Sequence, residues 1–144
     1  KQLIDNYFIT FPQVKAFMDS SIRSTRDLGY AKTIMGRKRF LPDIRSANAV
    51  VRGAAERNAI NAPIQGSSAD MIKLAMVEIH KEMKIRKMQS KMILQVHDEL
   101  VFDVLKEEVE ALRLLVEDKM LNAISLNVKL KVDINTGDDW LQAH

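Results

Sequence analysis

Two consecutive helices are predicted by the spacing of apolar residues at the start of the chain. Apolar side chains recur three and four residues apart, first at Ile4, Tyr7, Phe8 and Phe11 and then at Val14, Phe17, Met18 and Ile22. The segment Thr10-Phe11-Pro12-Gln13 has the form of a capping box, so the second helix should begin at Thr10. Leu28-Gly29 should end it, because glycine commonly follows the last helical residue.

A short hairpin is predicted next, from Tyr30 to Pro42. Met35-Gly36 marks its turn, because glycine is typical of tight turns. The return strand carries three basic residues in a row, Arg37, Lys38 and Arg39. Leu41-Pro42-Asp43 marks the end of this segment.

A long Ala-rich helix is expected from about Ala47 to Ala62. Pro63 has no amide hydrogen and Gly66 is a weak helix former, so the helix should bend or stop there. Ser67-Ser68-Ala69-Asp70 can then cap a restart. The restarted helix has an apolar stripe that predicts core packing, at Ile72, Ala75, Met76, Ile79 and Met83.

A second hairpin is predicted from Lys91 to Leu105, with a tight bend at His97-Asp98. The apolar spacing of Val109, Leu112, Val116, Met120 and Ile124 indicates an amphipathic helix, and the alternation of Leu130, Val132 and Ile134 indicates a final strand. The order of elements predicts an α+β fold, in which helices pack on one face of a small antiparallel sheet.

Composition limits the class of protein. The chain has 144 residues, 47% hydrophobic and 28% charged, which suits one domain or a large piece of one. With no Cys there is no disulfide and no thiolate zinc site, which fits a cytosolic setting. No apolar run is long enough for a membrane span, and no glycine-rich phosphate loop or nucleophile elbow is present. Because the chain begins at Lys1 inside a helical pattern, we expect a fragment of a longer protein.

Charge is unevenly distributed along the chain. The segment from Arg23 to Arg57 has nine Lys or Arg against three Asp or Glu, whereas the segment from Asp98 to Asp118 has two against eight. A basic and an acidic segment in one small domain suggest a site for a polyanion and a site for a cation. Solvated faces whose charges happen to cluster are the alternative.

The second hairpin places two carboxylates side by side at its bend. Asp98 can project from the end of the strands, and Glu99 begins the return strand. Adjacent carboxylates repel each other, so a cation is expected to compensate them. Mg²⁺ suits such oxygen ligands, because it binds one or two carboxylates together with substrate phosphates. A solvated turn, where Asp is common, is the alternative.

A second candidate site lies on the Ala-rich helix. Gly53, Arg57, Asn61 and Gln65 are four residues apart and therefore lie along one stripe. Arginine offers charge and donors to phosphate, while the amides suit base edges in the minor groove. A merely polar helix face would have the same spacing.

Three blocks of residues follow one another along the chain. They are Gly29-Tyr30 with Gly36-Arg37-Lys38-Arg39 and Leu41-Pro42-Asp43, then Ala55-Glu56-Arg57 with Asn61-Ala62-Pro63-Ile64-Gln65-Gly66-Ser67-Ser68-Ala69-Asp70, then Gln95-Val96-His97-Asp98-Glu99-Leu100-Val101. Together they resemble family A DNA polymerases of the bacterial DNA polymerase I type, and the resemblance runs from near Lys1 to His144. The last block resembles motif C of the family, the hairpin of the palm that carries a metal-binding aspartate.

The resemblance implies a DNA-directed DNA polymerase of replication and repair, cytoplasmic and associated with the bacterial nucleoid. Its partners would be primer-template DNA and deoxynucleoside triphosphates, with no membrane, and its cofactors two Mg²⁺ ions that catalyse nucleotidyl transfer. Residues 1–144 would be the C-terminal, mostly palm, part of the polymerase domain, with 1–29 leading in from the fingers.

The resemblance also implies roles for individual residues. Asp98 would be a catalytic ligand of Mg²⁺ and Glu99 would support that site. His97 would lie near the primer terminus. The stripe Arg57, Asn61 and Gln65 would contact the duplex, and the basic strand Arg37, Lys38 and Arg39 would contact the phosphate backbone.

Two parts of the family pattern are absent from this sequence. They are motif A, with the other metal-binding aspartate, and the fingers helix that grips the incoming nucleotide. We therefore expect the isolated chain to be inactive, and an exposed sheet edge to favour a dimer or instability. A non-catalytic duplex-binding module and a purely structural domain are the competing hypotheses.

Overall fold

The computed structural model describes residues 2–143. These residues form two compact units, and the boundary between them lies after Ser67. The first unit contains helices α1 (Gln2–Thr10) and α2 (Pro12–Leu28), strands β1 (Tyr30–Lys32) and β2 (Lys38–Phe40), and a 3₁₀ turn at Pro42–Arg45. Helix α3 (Ala49–Ile85) belongs to both units. The second unit continues with β3 (Lys91–Val96), β4 (Glu99–Asp103), a 3₁₀ turn at Lys106–Glu108, α4 (Val109–Leu121) and α5 (Trp140–Ala143).

The two N-terminal helices are confirmed, but the predicted capping box is wrong. Thr10 is the last residue of α1, and its hydroxyl donates to the carbonyl of Asn6 at 3.0 Å. Pro12 takes the first position of α2, where its fixed φ and missing amide hydrogen cost nothing. Gly29 ends α2 as predicted, with a left-handed φ of 79° and its amide donating to the Thr25 carbonyl at 2.8 Å.

The first unit is built around small residues. Strands β1 and β2 pair antiparallel with Tyr30 opposite Phe40 and Lys32 opposite Lys38, which confirms the predicted hairpin. The buried core of this unit combines one residue of β1, two residues in and just before the 3₁₀ turn, and three alanines of α3. These residues are Ala31, Leu41, Ile44, Ala55, Ala59 and Ala62. Because alanine is short, this face of α3 packs closely against its neighbours, and the opposite face carries the polar residues.

Helix α3 does not stop at Pro63. It runs without interruption from Ala49 to Ile85, so the predicted stop and the restart at Ser67 are wrong. A proline removes one amide donor and crowds the carbonyl four residues earlier, whereas stopping a helix would sacrifice the bonds of a full turn at each new end. The missing amide leaves the carbonyl of Ala59 without its helical donor, and one turn later the hydroxyl of Ser67 donates to the carbonyl of Pro63.

An apolar cluster forms the core of the second unit. The predicted stripe of α3 packs on α4 through Ala75, Ile79, Met83, Leu112, Leu115 and Val116. Partly buried Met92, Leu100 and Phe102 lie against this cluster, so one face of the β3–β4 hairpin is covered by helices, as predicted. The α+β class is confirmed, with its antiparallel pairing in two separate two-stranded sheets.

The predicted final strand at Leu130, Val132 and Ile134 does not form. Residues 126–137 contain no strand, although Ile134 packs against the apolar cluster of the second unit. Alternation alone cannot make a strand, because a strand needs a partner for its backbone groups. Among residues 2–143 there is no helix with the length and apolarity that a membrane crossing demands.

Candidate nucleic-acid interface and metal-binding hairpin

The tip of the second hairpin is a two-residue turn, as predicted. Val96 pairs with Glu99, so His97 and Asp98 are the only residues between the strands. His97 has a φ of 53°, in the left-handed region that residues with a Cβ rarely adopt. The side-chain amide of Gln95 donates to the carbonyl of His97 at 2.9 Å and so supports this conformation. Gln95 is a contributor that the sequence-based reasoning did not single out.

The tip presents one carboxylate to solvent. Asp98 and His97 are exposed, and Glu99 is half-buried on β4. Within residues 2–143 no donor contacts the Asp98 carboxylate, so its charge is left to solvent or to a bound cation. The described residues contain no cluster of three or more His, Asp or Glu placed to hold a metal. An exposed Asp with a neighbouring Glu still fits Mg²⁺, which retains several waters and needs few protein ligands.

The base of the same hairpin is tied together by Ser90 and Glu108. Glu108 precedes α4, and its carboxylate accepts bonds from the amides of Gln89 and Ser90, each at 2.9 Å, and from the Ser90 hydroxyl. Ser90 Oγ in turn accepts from the amide of Leu105 at 3.1 Å. Ser90 stands before β3 and Leu105 after β4, so this network closes the open end of the hairpin. The sequence offered no signal for it, because Glu108 looked like one of many surface acids.

These bonds hold the pKa of the Glu108 carboxyl below its usual range, and the bond from the Ser90 hydroxyl contributes most to the lowering of the pKa. A lowered pKa in the folded state stabilises the fold above the usual pKa of glutamate, and the stabilisation is lost as pH falls through the lowered value. We therefore expect Glu108→Gln to unfold at lower temperature than the parent at neutral pH, with the difference shrinking in acid. Thermal unfolding between about pH 3 and pH 7 measures it.

The matched control for Glu108→Gln is Glu107→Gln, which makes the same chemical change one residue away. Glu107 is exposed, and no hydrogen bond or ion pair to it exists among the described residues. Glu107→Gln should therefore show the same pH dependence of thermal unfolding as the parent protein. Equal effects of the two substitutions would contradict the role given to Glu108.

The predicted stripe on α3 is exposed along its length. Arg57, Asn61 and Gln65 are all exposed, and within residues 2–143 none of their side chains has a hydrogen-bond or ion-pair partner. A Cβ added at Gly53 would lie 3.8 Å from the Arg57 guanidinium, so the arginine extends back over Gly53. The helix thus presents charge and amide groups on one face with their hydrogen-bonding capacity unused. Their contact with duplex stays a prediction.

The three basic residues are exposed too, but Arg37 was wrongly predicted on the return strand: it lies just before β2, which begins at Lys38, and the surroundings of the three cations differ. Arg37 donates through Nη2 to the carbonyl of Gly66 at 3.0 Å. The Lys38 ammonium lies 4.5 Å from the centre of the Tyr30 ring. Arg39 is on the other side of β2, since neighbouring residues of a strand face opposite ways. The bond of Arg37 to the Gly66 carbonyl links the turn before β2 to the residue that directly follows Gln65.

Comparison with known proteins identifies the family. The family model described as DNA polymerase family A matches residues 1–142. DNA polymerase I of Lactococcus lactis subsp. lactis is 47% identical over 143 residues, which cover 99% of this chain and 16% of that protein. DNA polymerase I of Geobacillus stearothermophilus is 45% identical over 142 residues, again 99% of this chain and 16% of the relative.

A solved structure has the same fold. The polymerase domain of Pol1 from M. smegmatis, in complex with DNA primer-template and dNTP, matches with a TM-score of 0.95 and 43% sequence identity. The match covers 97% of this chain and 25% of that chain. The chain thus spans about a sixth of the length of its curated relatives, at 16%. On the extent of the family match and the level of identity, this chain belongs to DNA polymerase family A.

Proposed function

We propose that this chain is part of the palm of a DNA-directed DNA polymerase, which extends a primer by nucleotidyl transfer in DNA replication and repair. The observation that carries the proposal is the exposed Asp98 carboxylate at a two-residue turn, without a donor among the described residues and beside Glu99. A negative charge kept at a hairpin tip without a partner suits a cation that arrives with substrate. Relatives named DNA polymerase I support the reaction class, and a bacterial polymerase would work at the nucleoid in the cytoplasm.

In this proposal the chain supplies part of a two-metal site. Asp98 holds Mg²⁺ and Glu99 supports the same site, while the strained turn at His97 fixes the direction in which the carboxylate points. His97 lies near the primer terminus. The bound Mg²⁺ ions would activate the primer 3′-hydroxyl and offset the charge of the leaving pyrophosphate. The incoming deoxynucleoside triphosphate and the primer-template are the substrates, as in the solved complex of the M. smegmatis protein.

The duplex contacts fall to the exposed stripe and to the basic strand. Asn61 and Gln65 can donate to the acceptors that every base pair presents in the minor groove. Such a contact depends on the shape of the base pair and not on its sequence. Arg57 adds charge toward a phosphate or a base edge. Lys38 and Arg39 neutralise phosphates of the backbone, whereas Arg37 carries the same charge but donates to the Gly66 carbonyl.

The proposal includes that the 144 residues by themselves do not polymerise. Asp98 and Glu99 are adjacent at one hairpin tip and can supply ligands for one ion, whereas two-metal catalysis requires two ions about 3.5–4 Å apart. The outer edges of β3 and β4 pair with no other strand among the described residues. We therefore also propose that isolated chains associate through such an edge.

A test separates this proposal from a non-catalytic duplex-binding module. The isolated chain, checked for helix content by circular dichroism, should bind primer-template DNA without extending it when Mg²⁺ and nucleotides are added. Log affinity should fall linearly with log salt, and Arg57→Ala should lower the slope by about one. The intact polymerase should extend the same primer. Extension by the isolated chain would contradict the proposal, and so would an intact protein that binds duplex but never extends it.

A further inference from the structure

The turn between β1 and β2 rests on helix α3 beside Gln65. This turn comprises residues Thr33–Arg37 and is named the docked turn. The amide of Ile34 donates to the hydroxyl of Ser67 at 2.9 Å, and the Arg37 guanidinium donates to the carbonyl of Gly66 at 3.0 Å. Two hydrogen bonds from one turn therefore reach the two residues that follow Gln65.

The docked turn reaches α3 in the turn that follows Pro63. Pro63 contributes no amide hydrogen, so the helix lacks the backbone bond from residue 63 to the carbonyl of Ala59. The Ser67 hydroxyl donates to the Pro63 carbonyl while it accepts from Ile34. A serine that bonds back to the residue four positions earlier tends to bend a helix. The hydroxyl thus connects the carbonyl of Pro63 to the docked turn.

Gly66 makes this approach possible. A Cβ at position 66 would lie 2.5 Å from the Thr33 methyl carbon and 3.4 Å from Arg37 Nη2. Thr33 cannot easily retreat, because its amide donates to the Arg37 carbonyl and its carbonyl accepts from the Gly36 amide, each at 2.9 Å. The absence of a side chain at Gly66 is therefore matched to a turn that is itself held in place.

We propose that the docked turn is a positioning element for duplex binding, acting through Gln65. Ser67 and Arg37 fix the path of α3 directly after Gln65, and so set where its amide lies. Arg37 then serves the duplex through the Gly66 carbonyl instead of through a phosphate. The inference rests on the proposed contact of Gln65 with the duplex.

A double-mutant cycle in the intact polymerase tests the proposal. Ser67→Ala removes the hydroxyl that bonds both Ile34 and Pro63, with little change in volume. It should weaken primer-template binding and slow extension by about five- to tenfold, the cost of one or two hydrogen bonds. In a Gln65→Ala background the same change should cost less than about twofold, because residues that act through one another are not additive. Ser68→Ala, an exposed serine one residue away, is the control and should have no effect.

A second measurement separates positioning from direct phosphate contact. Arg37→Ala should lower duplex affinity and leave the slope of log affinity against log salt unchanged, whereas Arg39→Ala should lower that slope by about one. Equal losses of slope for the two variants would overturn the role given to Arg37.

The outcomes of the cycle are distinguishable. Full additivity of Ser67→Ala with Gln65→Ala, or equal behaviour of Ser67→Ala and Ser68→Ala, would overturn the docked turn as a positioning element and leave the Gln65 contact standing. Unchanged extension by Gln65→Ala alone would overturn the duplex contact and this inference with it.

Discussion

Asp98→Ala in the intact polymerase is expected to lower the rate of nucleotide incorporation by about 10³-fold or more. Stabilisation of developing charge by a bound metal is worth several kcal/mol, and each ~1.4 kcal/mol is tenfold in rate. Binding of primer-template should change little, because Asp98 is exposed and holds no protein donor among the described residues. Single-turnover primer extension measures the rate, and fluorescence anisotropy of labelled duplex measures the binding.

Asp103→Ala is the matched control for this experiment. Asp103 is an exposed aspartate at the far end of the same hairpin, opposite Lys91. It should retain near-parental incorporation, because an acid at the base of the hairpin is remote from the proposed ion. Normal activity of Asp98→Ala would disprove the metal assignment. Equal damage by both variants would indicate that the hairpin needs its overall charge and not a ligand at the tip.

Gln65→Ala is expected to lower extension efficiency by about ten- to a hundredfold. A well-placed amide at a base edge is worth about 1–3 kcal/mol, and Gln65 has no protein partner among the described residues that would otherwise explain its presence on α3. The loss should appear in duplex affinity and extension rate, while the Mg²⁺ concentration for half-maximal rate stays the same. Titration of Mg²⁺ at saturating duplex separates the two.

Gln89→Ala makes the same chemical change at an exposed glutamine before β3 and serves as the control. Its backbone amide bonds Glu108, but among the described residues no hydrogen bond uses its side chain. It should extend primers at the parental rate. A Gln65→Ala variant that shifts the Mg²⁺ requirement would argue against a contact confined to the duplex.

Local chemistry explains what the sequence predicted well. The turn at His97-Asp98, the helix end at Gly29 and the apolar stripe that includes Ile79 each depend on residues close together in the chain. Such features follow from periodicity and turn propensity. The exposed stripe Arg57, Asn61 and Gln65 was predicted for the same reason, since helical spacing of four places residues on one face.

The wrong predictions concerned segments whose local sequence is compatible with more than one structure. Thr10 could cap α2 or end α1. It ends α1, where its hydroxyl donates to the carbonyl of Asn6. The helix was expected to bend or stop at Pro63, and it continues through that residue. The residues around Val132 alternate as a strand should, but no other strand pairs with them among the described residues. Propensity ranks such alternatives weakly, and packing decides between them.

Contacts between distant residues had no signal in one sequence. The bonds of Glu108 to Ser90 connect residues 18 apart, and the contact of Thr33 with Gly66 connects residues 33 apart. In the sequence, Ser90 and Glu108 look like ordinary surface residues. These contacts became visible only in the folded chain, and one of their residues, Glu108, is a position where substitution is expected to change stability.

The network at the base of the second hairpin also limits how this protein can evolve. Ser90 is 6% exposed, and its hydroxyl serves the Leu105 amide and the Glu108 carboxylate at once. Loss of either side chain alone would leave a polar group of the other without its partner, which costs more than the bond itself. Lineages should therefore exchange the two residues together or keep both, so substitutions at positions 90 and 108 are expected to be correlated across relatives.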